Sequence, residues 1–164
     1  MTSPPRYIAH LLPTAAVPPV GKDPGNGSTL YTTDSLKTEG FIHCSPLQLA
    51  LDTANRYLSA ISSVSVLIID THHYSVATAQ VAGGPTTHVS GSGAVKIVWE
   101  PAVVPPEHEQ RVVSAATGKK VRDGDFPHVY GPIDVKSVVE VLQVKRDAAG
   151  KAWEAIPGLE KYLA

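Results

Sequence analysis

The sequence contains one cysteine, Cys44, among 164 residues. A single thiol excludes a disulfide framework and a cysteine-based zinc site, and it fits a reducing compartment. An excess of one charge sign is also missing. Fourteen Lys and Arg against fifteen Asp and Glu leave a formal net charge of −1. That balance argues against a non-specific nucleic-acid binder, whose affinity comes from counterions released by excess Lys and Arg. It leaves room for a protein that holds one nucleotide or an RNA end. Long apolar runs are absent as well. The stretch Tyr7–Leu12 is interrupted by His10 and stopped by Pro13, too short for the ~7–15 residue core of a signal peptide or the ~20 residues of a membrane span. The expectation is a soluble cytoplasmic protein with no membrane association. Metal-ligand spacing is lacking too. There is no H-E-x-x-H and no H-x-x-x-H, and the adjacent His72 and His73 point apart on a strand, so no metal is expected. The Thr86–Gly93 stretch lacks phosphate-loop spacing followed by a lysine.

What is present suffices for a core. Hydrophobic residues make up 43% and charged residues 18%, and the length suits a single domain over 1–164. Proline, 14 of 164 residues, stands well above the average share of ~5%. Long loops follow, expected at 13–29, 77–94 and 101–125. Strands are expected at Tyr7–Leu12, Gly40–Ser45, Val64–Asp70, Val95–Glu100, Phe126–Tyr130 and Val138–Val144, with a turn at Asp147–Gly150 and a small terminal helix from Pro157. Leu30–Thr38 is read as a short irregular or helical piece. Strands and helices are segregated, not alternating, which favours a single compact α+β domain of small sheets and a few short helices.

The clearest helix signal starts at Ser45. Ser45 suits an N-cap, Pro46 the first helical position, and Gln48 completes an S-x-x-Q capping box. Leu47, Leu51, Ala54, Leu58 and Ile61 recur at helical spacing, and Asp52 and Arg56 pair at i,i+4 on the solvent side.

Three of the seven histidines sit inside short apolar strand segments: His10, His43 and His128. Phe41, His43 and Ser45 share one face of their strand, while Ile42 and Cys44 share the other. With Ile42 and Cys44 in the core, His43 faces a cleft beside the start of the Ser45 helix. Free N–H groups and the dipole at a helix start attract a phosphate or carboxylate, and an imidazole there donates to an anion or moves a proton near neutral pH. Cys44 reads as a small core residue, Glu100 as a surface partner of Lys96. Tyr130 and Phe126 share the face of His128 as core aromatics or stacking surfaces. The candidate catalytic residues are thus His43, His10 and His128. The candidate substrate-binding residues are Ser45, Phe41, Tyr130, Asn55 and Arg56.

Taken together, the motifs Gly40-Phe41-Ile42-His43-Cys44-Ser45, Ala54-Asn55-Arg56-Tyr57, Leu67-Ile68-Ile69-Asp70, Trp99-Glu100 and Phe126-Pro127-His128-Val129-Tyr130-Gly131-Pro132 resemble, in order and style, the family called domain of unknown function 952. The resemblance spans nearly the whole chain, and the loops 13–29, 77–94 and 101–125 look longer than in short bacterial members. It implies an ADP-ribosyltransferase-like fold, in which split sheets grip NAD in a cleft, and within that superfamily the branch that includes the RNA 2′-phosphotransferases. That branch carries a histidine on each of its first two strands; here these are His10 and His43, while Glu100 is the one candidate for the acidic residue of many ADP-ribosyltransferases. The resemblance therefore implies ribosyl transfer or hydrolysis on NAD or a related phosphorylated ligand, with NAD as substrate and no tightly bound cofactor. A second reading is a cofactor-free isomerase, cyclase or lyase that uses His43 and His128 as acid and base, with Tyr130 holding an oxygen. A third is a non-catalytic module that binds a nucleotide or another small molecule.

Overall fold

The computed structural model describes residues 5–18, 30–74, 77–80, 86–89, 95–101 and 125–163. The fold is mixed α and β, with small antiparallel sheets and few helices. Its centre is the strand Val64–Asp70 (β4), every residue of which is buried up to Ile69. This run of Val, Leu and Ile reads the same on both faces, as a strand covered on both sides must. Tyr7–Pro13 (β1) pairs with it antiparallel from Tyr7 opposite Asp70 to Pro13 opposite Val64. Val138–Gln143 (β10) lies on its other side, with a register shift between Val138 and Glu140. The result is a three-stranded sheet, β1-β4-β10.

The two faces of that sheet feed two cores. On one face Ala9, Val66 and Ile68 pack with Ala50 and Ala54 of the helix Ala50–Tyr57 (α2) and with Trp153 and Ile156. On the other, Ile8, Leu12, Leu67 and Ile69 pack with Ile42, Cys44, Ile97 and Val129. These last four belong to a second, five-stranded sheet or its immediate continuation. Its order is Ile42–His43 (β3), Asp125–Tyr130 (β8), Lys96–Pro101 (β7), Thr86–Val89 (β6) and Ala77–Gln80 (β5). Two further pairs complete the description: Leu30–Tyr31 (β2) with Ile133–Asp134 (β9), and Lys145–Arg146 (β11) with Trp153–Ala155 (β12).

Among the described residues, one isolated backbone bridge joins the two sheets. Ala9 N–H donates to the Ser45 carbonyl at 2.9 Å, and Ser45 N–H returns the bond to Ala9 at 2.7 Å. One residue earlier, Cys44 N–H donates to the Pro127 carbonyl of β8 at 3.1 Å. Residues 42–45 therefore pair with the five-stranded sheet at one end and with β1 at the other.

That bridge overturns the helix start expected at Ser45. The backbone of Ser45 is held extended by β1, and Pro46 is extended too, with ψ 145°. A 3-10 turn, Leu47–Leu49, comes first, and the α-helix begins only at Ala50. No side chain caps either segment, so the capping box does not form. Tertiary pairing outweighs a cap worth ~0.5–2 kcal/mol. The apolar stripe survives: Leu47 and Ala54 are buried, and Leu51, Leu58 and Ile61 pack against the same core. The Asp52–Arg56 pair forms at 3.5 Å, yet not on the solvent side, because the Arg56 side chain is only 3% exposed.

Two other expectations change, and that for Leu30–Thr38 is met in part. The span 77–94, expected as a long loop with at most one weak strand, contains two strands, β5 and β6, paired from Ala77 opposite Val89 to Gln80 opposite Thr86. Leu30–Thr38 resolves into β2 and a short helix, Asp34–Thr38 (α1). The terminal helix is a 3-10 turn, Leu159–Tyr162. The loops expected at 13–29 and 101–125 lie largely outside the described residues, which end at 18 and 101 and resume at 30 and 125. Among the described residues no helix is long and apolar enough to cross a membrane.

Candidate acid/base site

On β3, alternation sends Ile42 and Cys44 into the core, with exposures of 0% and 6%. His43 therefore leaves on the outer face of the five-stranded sheet, with 44% of its side chain exposed. Its Cα partner across β3 and β8 is His128, and paired residues of antiparallel strands present their side chains on one face. The two imidazoles meet edge to face, with ring centroids 5.4 Å apart. Phe41 closes the group: it stacks on His128 at 4.2 Å, meets His43 edge-on at 4.8 Å and lies 5.3 Å from Tyr130. Four of the expected site residues thus form one ring cluster. Within it His128 is 2% exposed and Phe41 8%, so these two are wall, and His43 is the accessible imidazole.

Glu39 gives that imidazole its chemistry. Its Oε2 lies 2.7 Å from His43 Nε2. A carboxylate accepts, so Nε2 carries the hydrogen, and the lone pair of the neutral ring sits on Nδ1. Nδ1 has no hydrogen-bond partner among the described residues. A carboxylate that orients one nitrogen and leaves the other as a base is the arrangement that general acid/base and nucleophilic sites share. Glu39 reaches His43 because Gly40, at φ +90°, turns the chain sharply between α1 and β3; L side chains disfavour that conformation. Sequence reasoning missed Glu39. The signal was there, a Glu-Gly pair directly before a strand, but strand alternation does not link positions 39 and 43.

His10 is not part of the ring cluster. It projects from β1 on the same side as Ile8 and Leu12, into the core shared by the two sheets, and is 5% exposed. Nδ1 lies 2.8 Å from the His43 carbonyl and Nε2 3.0 Å from the Tyr31 hydroxyl. A carbonyl only accepts, so Nδ1 carries the hydrogen. Burial holds the His10 pKa down, to about 4, against the opposing pull of the His43 carbonyl. The ring is therefore neutral near pH 7, and its Nε2 accepts from the Tyr31 O–H. Burial also pushes the Tyr31 hydroxyl up to about 12, so it stays a donor. His10 thus fastens β3 to β1 through the backbone of His43. Tyr31 went unnoticed in the sequence because it stands on a two-residue strand.

The remaining candidates lie elsewhere. Ser45 is fully buried, and its Oγ donates to the Pro46 carbonyl at 2.9 Å and lies 3.2 Å from Thr53 Oγ1. With the α-helix starting at Ala50, Ser45 offers no helix terminus to an anion. Asn55 spends its amide on Trp153: Nδ2 donates to the carbonyl and Oδ1 accepts from the backbone N–H, both at 2.8 Å. Arg56 has a buried Nη1 without a hydrogen-bond partner among the described residues. Burial pushes the Cys44 thiol up, consistent with an inert core residue. Glu100 pairs by register with Phe126, but its side chain lies outside the described residues. Among the described residues no group of three or more His, Cys, Asp or Glu is placed to hold a metal ion.

A family model described as "Protein of unknown function (DUF952)" matches residues 23–141. No curated protein matches the chain. Among solved structures, the chain is similar to protein CC0527 from Caulobacter crescentus, at 19% identity and a TM-score of 0.49, covering 89% of this chain and 92% of that one. A double mutant of the same Caulobacter protein gives 20% identity and a TM-score of 0.47 over the same shares.

Proposed function

The chain belongs to the DUF952 family, and from the geometry of the ring cluster we propose that it is an acid/base enzyme for a small organic substrate, with His43 as its proton-transfer group. One observation carries this reading: an accessible imidazole, fixed by the Glu39 carboxylate at 2.7 Å, set against the Phe41–His128 stack. His43 Nδ1 takes a proton from the substrate, and the Glu39 carboxylate stabilises the imidazolium that forms. Return of the proton to a different atom makes the reaction an isomerisation or an elimination. Phe41 supplies an apolar ring face, and Tyr130, beside it at 5.3 Å, holds a substrate oxygen. His128 is buried under Phe41 and acts as a positioning residue for His43. The chemistry needs no tightly bound cofactor.

The test compares the parent with His43→Ala and Glu39→Gln. Small molecules retained from expression are identified by native mass spectrometry and returned to each protein, and turnover is followed together with the His43 ring resonances. Both variants should lose turnover by a factor of about 100 or more, the usual worth of a positioned acid or base, while melting within a few degrees of the parent. Unchanged turnover with a large drop in melting temperature would make His43 structural and end this reading.

A second reading has its own support. His10 of β1 binds the backbone of His43 across the junction of the two sheets; the resemblance to the ADP-ribosyltransferase-like superfamily implies a histidine on each of the first two strands, and here the second stands on β3, after β2. On this reading NAD, or a related phosphorylated ligand, is the substrate, and the product mixture contains free nicotinamide. Nicotinamide release from NAD by the parent and not by His43→Ala would favour it over the first. The absence of release together with turnover of another compound would remove it.

A further inference from the structure

We propose that the substrate of this site carries a carboxylate, and that Lys96 is the residue that selects it. The inference rests on the acid/base reading of His43 and Glu39 and adds a substrate class and a specificity residue to it. Lys96 is the Cα partner of Tyr130 across β7 and β8. Its neighbours Val95 and Ile97 are buried in the core between the sheets, so Lys96 leaves on the opposite face. That is the outer face, which carries Tyr130, His128 and His43. Lys96 is exposed, and its ammonium has no ion-pair partner among the described residues. The outer face thus presents Lys96 at one end, the Tyr130 and Phe41 rings between, and His43 with Glu39 at the other end.

The dimensions fit a small substrate. Lys96 and His43 lie two strand spacings and one two-residue step apart, about 12 Å between Cα atoms from standard sheet geometry. A lysine stem, one six-membered ring and its carboxylate fill that span. Charges sort the ends. The Glu39 carboxylate beside His43 repels an anion, and the exposed Lys96 ammonium attracts one, so the anionic group goes to Lys96 and the reacting atoms to His43. A neutral amide of the same shape gains the ring contacts and loses the charge contact.

Benzoate and benzamide serve as a matched pair of probes. Each is titrated into the full-length protein while the His43 ring protons are followed by NMR, in the parent, Lys96→Met and Lys96→Arg. Lys96 is exposed, so neither substitution disturbs the core. The parent should bind benzoate about fivefold more tightly than benzamide, the scale of one exposed charge contact. Lys96→Met should erase that preference by weakening benzoate alone, Lys96→Arg should keep it, and about 0.5 M salt should shrink it. If both probes move His43 but benzoate has no preference, or keeps its preference in Lys96→Met, the carboxylate assignment is overturned while the ring site stands. If neither probe moves His43, the acid/base site and the carboxylate assignment fall together.

Discussion

His10 gives the sharpest quantitative test of the fold. An imidazole with an ordinary pKa of 6.5 is held at about 4 by complete burial. Between these two values the unfolded chain binds a proton that the folded chain refuses. Stability is therefore full above pH 6.5 and falls as the pH drops toward 4. About two and a half pKa units at ~1.36 kcal/mol each give a loss of ~3 kcal/mol from this one group, a large share of the ~5–15 kcal/mol that holds a small domain. Protonation also reverses a bond: Nε2 gains a hydrogen and must donate to the Tyr31 oxygen, whose hydroxyl is its donor in the neutral state. A charged His43 nearby disfavours the His10 cation further. The assay is urea unfolding at intervals from about pH 7.5 to about pH 4, for the parent and for His10→Gln in parallel. Carboxylates such as Asp70 and Glu140, whose pKa values are lowered, titrate alike in both proteins and cancel in the difference. The parent should lose ~3 kcal/mol more than His10→Gln over that range. Equal pH slopes, or a His10 ring that titrates near its ordinary pKa by NMR, would refute the argument.

Substitutions at five other positions have expected outcomes. Asn55→Ala strips both backbone partners from Trp153 and should cost ~2–3 kcal/mol in chemical denaturation, the scale of leaving buried polar groups unmet. Gly158→Ala forces a side chain into φ +95° with its Cβ 3.0 Å from Leu142 Cδ2, and should lower stability by ~1–3 kcal/mol, whereas Gly150→Ala, at φ +67° in open space, should cost less in the same melting assay. Arg56→Met removes a guanidinium whose Nη1 is buried without a hydrogen-bond partner among the described residues; denaturant midpoints should stay level or rise, since apolar replacement of a buried cation is often neutral or stabilising, and a loss above ~2 kcal/mol would contradict this. Ser45→Ala loses two buried hydroxyl contacts, about 1 kcal/mol, and should leave benzoate binding unchanged.

The strands that build the core were legible because burial dictates their composition. β4 is apolar on both faces, and Val95, Ile97 and Trp99 alternate with Lys96 and Val98 as a strand with one buried face must. The elements that escaped notice are held by something other than side-chain pattern. β5 and β6 lie in a stretch rich in Thr, Ser and Gly, and join through backbone pairing at the end of a sheet. β11 and β12 have two and three residues, too few for any period, although the turn between them was readable at Asp147–Gly150. Of the site, the alternation through Phe41–Cys44 placed His43 outside the core, and the segment Phe126–Tyr130 placed His128 on a short strand; that this strand lies beside His43 emerged only from the pairing of β3 with β8. Glu39 needed the backbone reversal at Gly40, and Tyr31 needed the pairing of β2 with β9. Such long-range geometry leaves no local spacing to read.

Ser45 shows why a well-formed local motif can mislead at a junction between sheets. Ser-Pro-Leu-Gln satisfies every local condition for a helix start, yet the residue before a proline is biased toward extended backbone, and Ser45 closely follows the two strand residues of β3. The same preference that suits it to cap a helix also suits it to close a ladder. Two backbone bonds to Ala9 decide between them, because they satisfy a donor and an acceptor that would otherwise be buried unmet. The consequence for the site is direct. Had the helix begun at Ser45, His43 would stand beside free N–H groups and an anion would bind next to it. With Ser45 in the bridge, the charge beside His43 is the Glu39 carboxylate, which repels an anionic ligand and attracts the proton that the ring takes up. The strand junction therefore removes the helix terminus that would make His43 an anion ligand; on the proposed reading His43 moves a proton instead, and anion recognition falls to Lys96 across the sheet.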